Sequence, residues 1–181
     1  MSRVELLRVP DPAPADLVTG LAEVLRDAVA DGASVGFVGV PDVEDAERWW
    51  RGYLPGAWTW VALGHRDGAV RVAGTVSLRL GQPENAPHRA ELTKLLVHRE
   101  ARGRGLAARL VAAAEEAAVR AGRTLLVLDT EAGSPAEGMY ERWGWHRVGT
   151  IDGYAVNPDG RLRGTTLFSR VLADPDRGPG S

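Results

Sequence analysis

Four consecutive pieces limit the fold most: "RAELTKLLV", "HREARGRG", "LAARLVAAAEEAAVRAG" and "TLLVLDT", spanning residues 89–130. The last is a continuous apolar run, as expected of a strand buried on both faces. The first is a further strand candidate. The third places Leu106, Leu110, Ala113 or Ala114, Ala117 and Ala121 on one helical face and closes at Gly122, a helix with a glycine stop. A strand, a long helix and a second strand in one sheet require a right-handed crossover and a parallel pair.

The remaining segments complete that sheet. Leu17, Val18, Leu21, Val24, Leu25, Ala28 and Val29 share a helical face, with Asp16 near the start and Gly32 just beyond the end. "PDVEDAERWWRGYL" predicts a second helix, acidic at its start, with Ala46, Trp49, Trp50 and Tyr53 at helical spacing. "WTWVALGHRDGAVRVAGTVSLRL" reads as a hairpin about Arg66, Asp67 and Gly68, and "GQPENAP" as a loop. In "SPAEGMYERWGW", Ser134 is the expected N-cap, Pro135 opens the first turn, Glu137 completes a capping box, and Gly144 follows the end. Two β-like runs follow, around Trp145–Val156 and Thr165–Leu172. The expected order is two helices, a strand meander, then strand, helix, strand, helix and two strands. That is an α/β (α+β) chain with a mixed sheet, one domain over residues 1–173 and a frayed tail over 174–181.

Composition narrows the function. A net charge of −2 gives no global positive field, which argues against a nucleic-acid or anionic-membrane partner. The absence of cysteine excludes disulfides, thiolate zinc sites and a cysteine nucleophile, and suits a reducing compartment. "MSRVELLRVP" lacks a signal-peptide pattern and no apolar run is long enough for a bilayer, so a cytoplasmic location is expected. No His, Asp or Glu spacing resembles a metal site. Ser77, Ser134 and Ser169 lack the setting of a nucleophile elbow.

Arg102, Gly103, Arg104, Gly105, Leu106 and Ala107 stand where a strand runs into a helix. The first amides of a helix lack intrahelical acceptors and sit at the positive end of its dipole. Glycines let the backbone approach a phosphate closely. A dinucleotide fingerprint could recruit Ala108 as its third small residue and Asp129 as its acid, roughly 20 residues onward. The turn follows several earlier strands and begins R-G-R-G, which fits that fingerprint poorly, and a P-loop pattern is absent.

"LLVHREARGRGLAARLV", "LLVLDT" and "SPAEGMYERWGW" together resemble the GNAT superfamily of acetyl-CoA-dependent N-acetyltransferases. Its R-x-x-G-x-G/A motif is matched by Arg102, Gly105 and Ala107, and its tyrosine before a glycine–aromatic turn by Tyr140 and Gly144-Trp145. "HRAELTKLLVHREARGRG" and "GYAVNPDG" are further similar to tabtoxin-resistance-type acetyltransferases, which inactivate an amino-acid toxin. Gly133 stands where many members carry an asparagine that contacts the pantetheine arm.

The resemblance implies a central mixed, mostly antiparallel sheet with helices on both faces. It also implies a V-shaped splay between the strand ending at Val97 and the strand ending near Thr130. Acetyl-CoA would bind there without a metal: Leu95, Leu96 and Val97 would meet the pantetheine amides, and the Val97 amide would face the thioester carbonyl. The amides of residues 102–107 would hold the pyrophosphate, with Arg102 or Arg104 closing on it and Arg99 toward the 3′-phosphate.

Direct transfer to an amine needs a base for the ammonium and an acid for the leaving sulfur. Tyr140 matches the family's acid, against the commoner fate of a tyrosine as a core aromatic. Glu91 and Asp129, carboxylates in otherwise apolar strands, are the base candidates. The alternative, equally weighted, is a structural ion pair with Lys94 or Arg89, or a cap at a strand end. Lys94 is expected to be a charge partner. Trp49 and Trp50 are expected in the core, with one of them a candidate lining of the acceptor pocket; His88 could touch the acceptor. The expected acceptor is a small amino-acid-like amine, an antibiotic or toxin included. The alternatives are a protein N-terminus or lysine, and a non-catalytic acyl-CoA sensor. A homodimer is a further candidate.

Overall fold

The computed structural model describes residues 4–66, 68–81 and 83–172. Its elements are β1 (Glu5–Arg8), α1 (Ala15–Ala30), α2 (Val43–Tyr53), β2 (Trp58–Arg66), β3 (Ala69–Arg79), β4 (Arg89–Val97), α3 (Leu106–Arg120), β5 (Leu125–Glu131), α4 (Pro135–Arg142), β6 (His146–Val156) and β7 (Leu162–Val171). One seven-stranded sheet has the order β1-β2-β3-β4-β5-β7-β6. Only β4 and β5 pair in parallel, joined by α3 as the crossover requires; every other neighbouring pair is antiparallel.

Two apolar clusters lie on the two faces. One face carries Val76, Leu78, Ala90, Leu92, Leu126 and Leu128 against Leu110, Ala114 and Ala118 of α3. The other carries Val61, Val72 and Leu96 against Leu21, Leu25 and Trp50. The seven apolar positions assigned to α1 are all buried. Burying such side chains at about 25 cal/mol per Å² is what holds both helical layers to the sheet.

The sequence reading differs from the fold in three places. The chain starts with a strand, β1, which pairs with β2 at the sheet edge, before the first helix. Four residues that are mostly exposed carry too little alternation to announce a strand. The capping box at α4 is also altered: Ser134 makes no side-chain cap, and a Glu137 carboxylate oxygen accepts the Gly133 amide at 2.9 Å. Glu137 is drawn aside by the Thr166 hydroxyl and Arg147. The expected final strand begins earlier, at Leu162, and inserts between β5 and β6. The tail at 174–181 lies outside the described residues.

Candidate active site

β4 and β5 stay paired only from Arg89, Ala90 and Glu91 to Leu125, Leu126 and Val127. Beyond Glu91, β4 keeps β3 on one side but pairs with no strand on the other among the described residues. β5 meanwhile follows β7 to the end. The sheet therefore opens between the two parallel strands, as the resemblance implied.

A bulge in β4 sits within this opening. Thr75 faces Leu96 and Ser77 faces Thr93, so Lys94 and Leu95 together oppose Val76. Lys94 takes a φ of +52°, alone among the described non-glycine residues. For a side chain with a Cβ this conformation costs about 1–2 kcal/mol. The bulge inverts the alternation: Ala90 and Leu92 face α3, whereas Leu96 faces α1.

It also sets the direction of the backbone groups. The His98 amide donates to the Ala73 carbonyl at 2.9 Å, so the amides of Leu95 and Val97, one step out of phase, point toward the opening. Leu96 differs from its neighbours in the motif: its backbone lies on the β3 side, and its side chain is buried.

At the mouth of the opening, Gly103 and Gly105 adopt φ of +72° and +71°. Gly105 is the N-cap of α3, without a side-chain cap and without an acidic residue in the first turn. The amides of Leu106 and Ala107 thus begin a helix with no internal acceptor, and a Cβ would meet nothing within 4 Å at either glycine. Arg104 makes no ion pair or hydrogen bond among the described residues. Arg102 is committed elsewhere: it donates to Asp31 at 2.5 Å and to the Val97 carbonyl at 3.1 Å. Arg99 is bound to Asp27 at 2.5 Å. These two arginines tie the turn to α1 and the residue after it, leaving Arg104 as the side chain available to an anion.

Glu91 and Asp129 share the sheet face opposite α3, since Leu92 and Leu128 occupy the α3 side. Glu91 is half-buried and acts electrostatically on both Lys94 and Tyr53. Asp129 accepts the Thr165 hydroxyl at 3.0 Å. The Lys94 ammonium donates to the Val35 carbonyl at 2.9 Å and lies 5.2 Å from the Trp49 ring. Burial lowers its pKa, and Asp129 and Glu91 oppose that shift.

Trp50 is fully buried in the core. Trp49 is half-buried, stacked on Tyr53 at 4.8 Å with Phe37 edge-on at 5.6 Å. The Tyr53 hydroxyl and Thr93 Oγ1 are 2.5 Å apart, which locks this aromatic group onto β4. His88 is exposed before β4, its carbonyl accepting the Thr124 and Leu125 amides, at the end of β4 away from the glycine turn. It does not join the other groups. Phe37 went unnoticed in the sequence, and Tyr53 was read only as a member of the helical face shared with Trp49 and Trp50.

Tyr140 is 5% exposed, flanked by Trp143, Trp145 and Phe168 at 5.7 Å each. Burial first, and the Asp129 charge second, push its pKa far above the ordinary value, so the hydroxyl stays protonated. Among the described residues it makes no hydrogen bond. Its ring packs on Phe168, the β7 residue opposite Leu128 of β5.

A gap with inward amides, leading to an anion-accepting helix start, suits a long ligand with amide groups in its middle and phosphates at one end. An acyl-CoA has that combination of groups. The sequence matches the acetyltransferase (GNAT) family over residues 37–145. It is 33% identical over 129 residues to an uncharacterized N-acetyltransferase from the hisH–hisA intergenic region of Azospirillum brasilense, covering 71% of this chain and 73% of the relative. A ribosomal-protein-alanine N-acetyltransferase from Brucella melitensis has a similar fold, with 23% identity, a TM-score of 0.73 and coverage of 93% and 99%. So has a Salmonella typhimurium protein described as an acetyltransferase and solved with acetyl-CoA, with 19% identity, a TM-score of 0.74 and 99% coverage of both chains. The chain belongs to the GNAT family and is an acetyl-CoA-dependent N-acetyltransferase. No group of side chains suited to a metal ion occurs among the described residues, and no helix there is long and apolar enough to cross a membrane.

Proposed function

We propose that the chain acetylates the amine of a small, amino-acid-like molecule, with Glu91 as the proton acceptor and Tyr140 as the proton donor. Acetyl-CoA supplies the thioester acyl group. The amides of Leu95 and Val97 would hold its pantetheine arm, and the turn from Gly103 to Ala107, with Arg104, its phosphates. Glu91 would take the proton that the ammonium must lose before its nitrogen can attack, directly or through water. Asp129, engaged by Thr165, would orient the amine. The Tyr140 hydroxyl would hydrogen-bond the sulfur and give up its proton as the bond to carbon breaks. The Val97 amide would steady the negative charge that grows on the carbonyl oxygen.

The observation that carries this reading is the Glu91 carboxylate, half-buried on the open face and acting on the Lys94 charge. A half-buried carboxylate on that face is stabilised further when a cationic substrate approaches it. Trp49 would line the acceptor pocket and Trp50 support it from the core. An antibiotic or toxin of amino-acid type falls within this acceptor class, and a cytoplasmic setting suits the cysteine-free composition.

Thiol release from acetyl-CoA, with product identified by mass spectrometry, tests the proposal on a panel of free amino acids, simple amines and peptides with free N-termini. Acetylated amino acids support it. Turnover confined to peptides would favour a protein acceptor, and binding without turnover would favour a sensor. We further infer a homodimer formed through β6 and β7. Val148, Ile151, Tyr154 and Leu162 are 59%, 45%, 57% and 66% exposed beside an eleven-residue edge strand, a surface that is unfavourable to leave in water. Light scattering on the wild type and Tyr154→Asp checks it; a monomeric wild type would refute it.

A further inference from the structure

We infer that Lys94 is the residue that selects the acceptor, by binding a carboxylate carried next to the reacting amine, so that the acceptor is a zwitterionic α-amino acid. The inference rests on the acetyl-transfer reading above and adds the acceptor's second recognition element.

The position is unusual in three independent ways. Lys94 is the extra residue of the β4 bulge and is held at a φ of +52°. A glycine would take that backbone conformation without strain, so the position retains its side chain at a conformational cost. Its ammonium has three donors, of which the Val35 carbonyl uses one. No carboxylate is within ion-pair distance of it among the described residues, although the site is largely enclosed by the loop at Val35 and by the Trp49 ring. A Cβ on Gly36 would stand 3.9 Å from Nζ, so the loop covers the charge directly.

Charges of both signs act on it. Glu91 and Asp129 lie on the same sheet face and attract the Lys94 charge, while Arg79, opposite Glu91 on β3 and over the Tyr53 ring at 5.7 Å, repels it. An acceptor that presents its ammonium to Glu91 and Asp129 needs an anionic group on the same small frame to use the two spare donors of Lys94. An α-amino acid has both charges one carbon apart. Its side chain would then lie toward the stacked rings of Trp49 and Tyr53. A simple amine would leave the two remaining donors of Lys94 without an anionic acceptor, and discrimination against ligands that leave such groups unpaired is large.

The test compares matched acceptors: L-leucine with isoamylamine, L-phenylalanine with phenethylamine, and L-lysine with cadaverine. Wild type, Lys94→Met and Lys94→Arg are assayed for CoA release. Tryptophan fluorescence with CoA present reads amino-acid binding separately from turnover. The wild type should prefer each amino acid it uses over the matched amine. Lys94→Met should reduce that preference at least tenfold, mostly through KM, and weaken the fluorescence-detected Kd of the amino acid by a similar factor. Lys94→Arg should recover part of both. An equal loss on the two acceptors would make Lys94 only a tether for the Val35 loop and overturn the inference, leaving acetyl transfer standing. A wild type that shows no preference also overturns it. If no amine in any pair releases CoA while acetyl-CoA still binds, the acceptor reading itself fails, and this inference with it.

Discussion

Gly105→Ala separates what the glycine turn does for the fold from what it does for the ligand. Gly105 has a φ of +71°, and an added Cβ would meet nothing within 4 Å. No clash therefore enters, and the cost is that of holding an L-residue in the left-handed region, about 1–2 kcal/mol. For a domain of this size that lowers Tm by roughly 2–8 °C. Gly122, at the other end of α3, has the same φ of +71° and equally open surroundings. Gly122→Ala should thus lose a similar amount of stability. The two variants diverge when acetyl-CoA is added. At about one hundred times Kd, a ligand that binds only the folded state adds about 2.7 kcal/mol. Gly122→Ala should keep the full ligand-induced rise in Tm. Gly105→Ala should lose much of it, because the Cβ projects from the turn whose amides are proposed to accept the phosphates. Scanning calorimetry with and without acetyl-CoA measures both effects. Equal ligand-induced shifts in the two variants would refute the placement of phosphates at this turn. An unchanged Tm for Gly105→Ala in the absence of ligand would refute the left-handed geometry.

Tyr140→Phe removes the protonated hydroxyl and keeps the ring against Trp143, Trp145 and Phe168; kcat should fall by about 10²–10⁴, with the Tm shift by acetyl-CoA retained. Glu91→Gln should cost about 10²-fold or more in kcat/KM, whereas Asp129→Asn, whose side chain can still meet the Thr165 hydroxyl, should cost less; the reverse order would move the base to Asp129. Glu137 is held below its ordinary carboxyl value of 4.5 by the Thr166 hydroxyl first, and also by the Gly133 amide and Arg147. Its folded-state pKa is the lower one, so its contribution is complete above the unfolded value and disappears as pH falls through the folded one. Glu137→Gln should flatten the decline of urea-unfolding free energy below pH 4.5, and an unaltered slope would contradict the network.

The elements that periodicity controls were readable in the sequence. The α1 and α3 stripes each have a single burial pattern that one helical geometry satisfies, whereas the apolar β5 run, expected to be buried on both faces, buries only Leu126 and Leu128 and leaves Asp129 exposed. β1 was not readable because its four residues gain their partners from β2, more than fifty residues away in sequence. The splay was accessible only through resemblance. No local signal states where two parallel strands stop pairing, because that depends on what β7 does to β5. The carboxylates Glu91 and Asp129 stood out against apolar strands. Whether they were paired did not, since the bulge at Lys94 redirects the ammonium from its own strand to the Val35 loop. Arg102 shows the same effect: its place in the motif is plain, but its side chain goes to Asp31, a residue that only tertiary packing brings near.

Hydrogen exchange of the wild type with and without acetyl-CoA tests the central claim most directly. Protection should appear at the amides of Leu95 and Val97, across residues 103–108, and around Tyr140, with the hairpin of β2 and β3 unaffected. Protection that leaves β4 and the glycine turn unchanged, or that gathers around Arg8 and Trp58 at the far edge of the sheet, would contradict it.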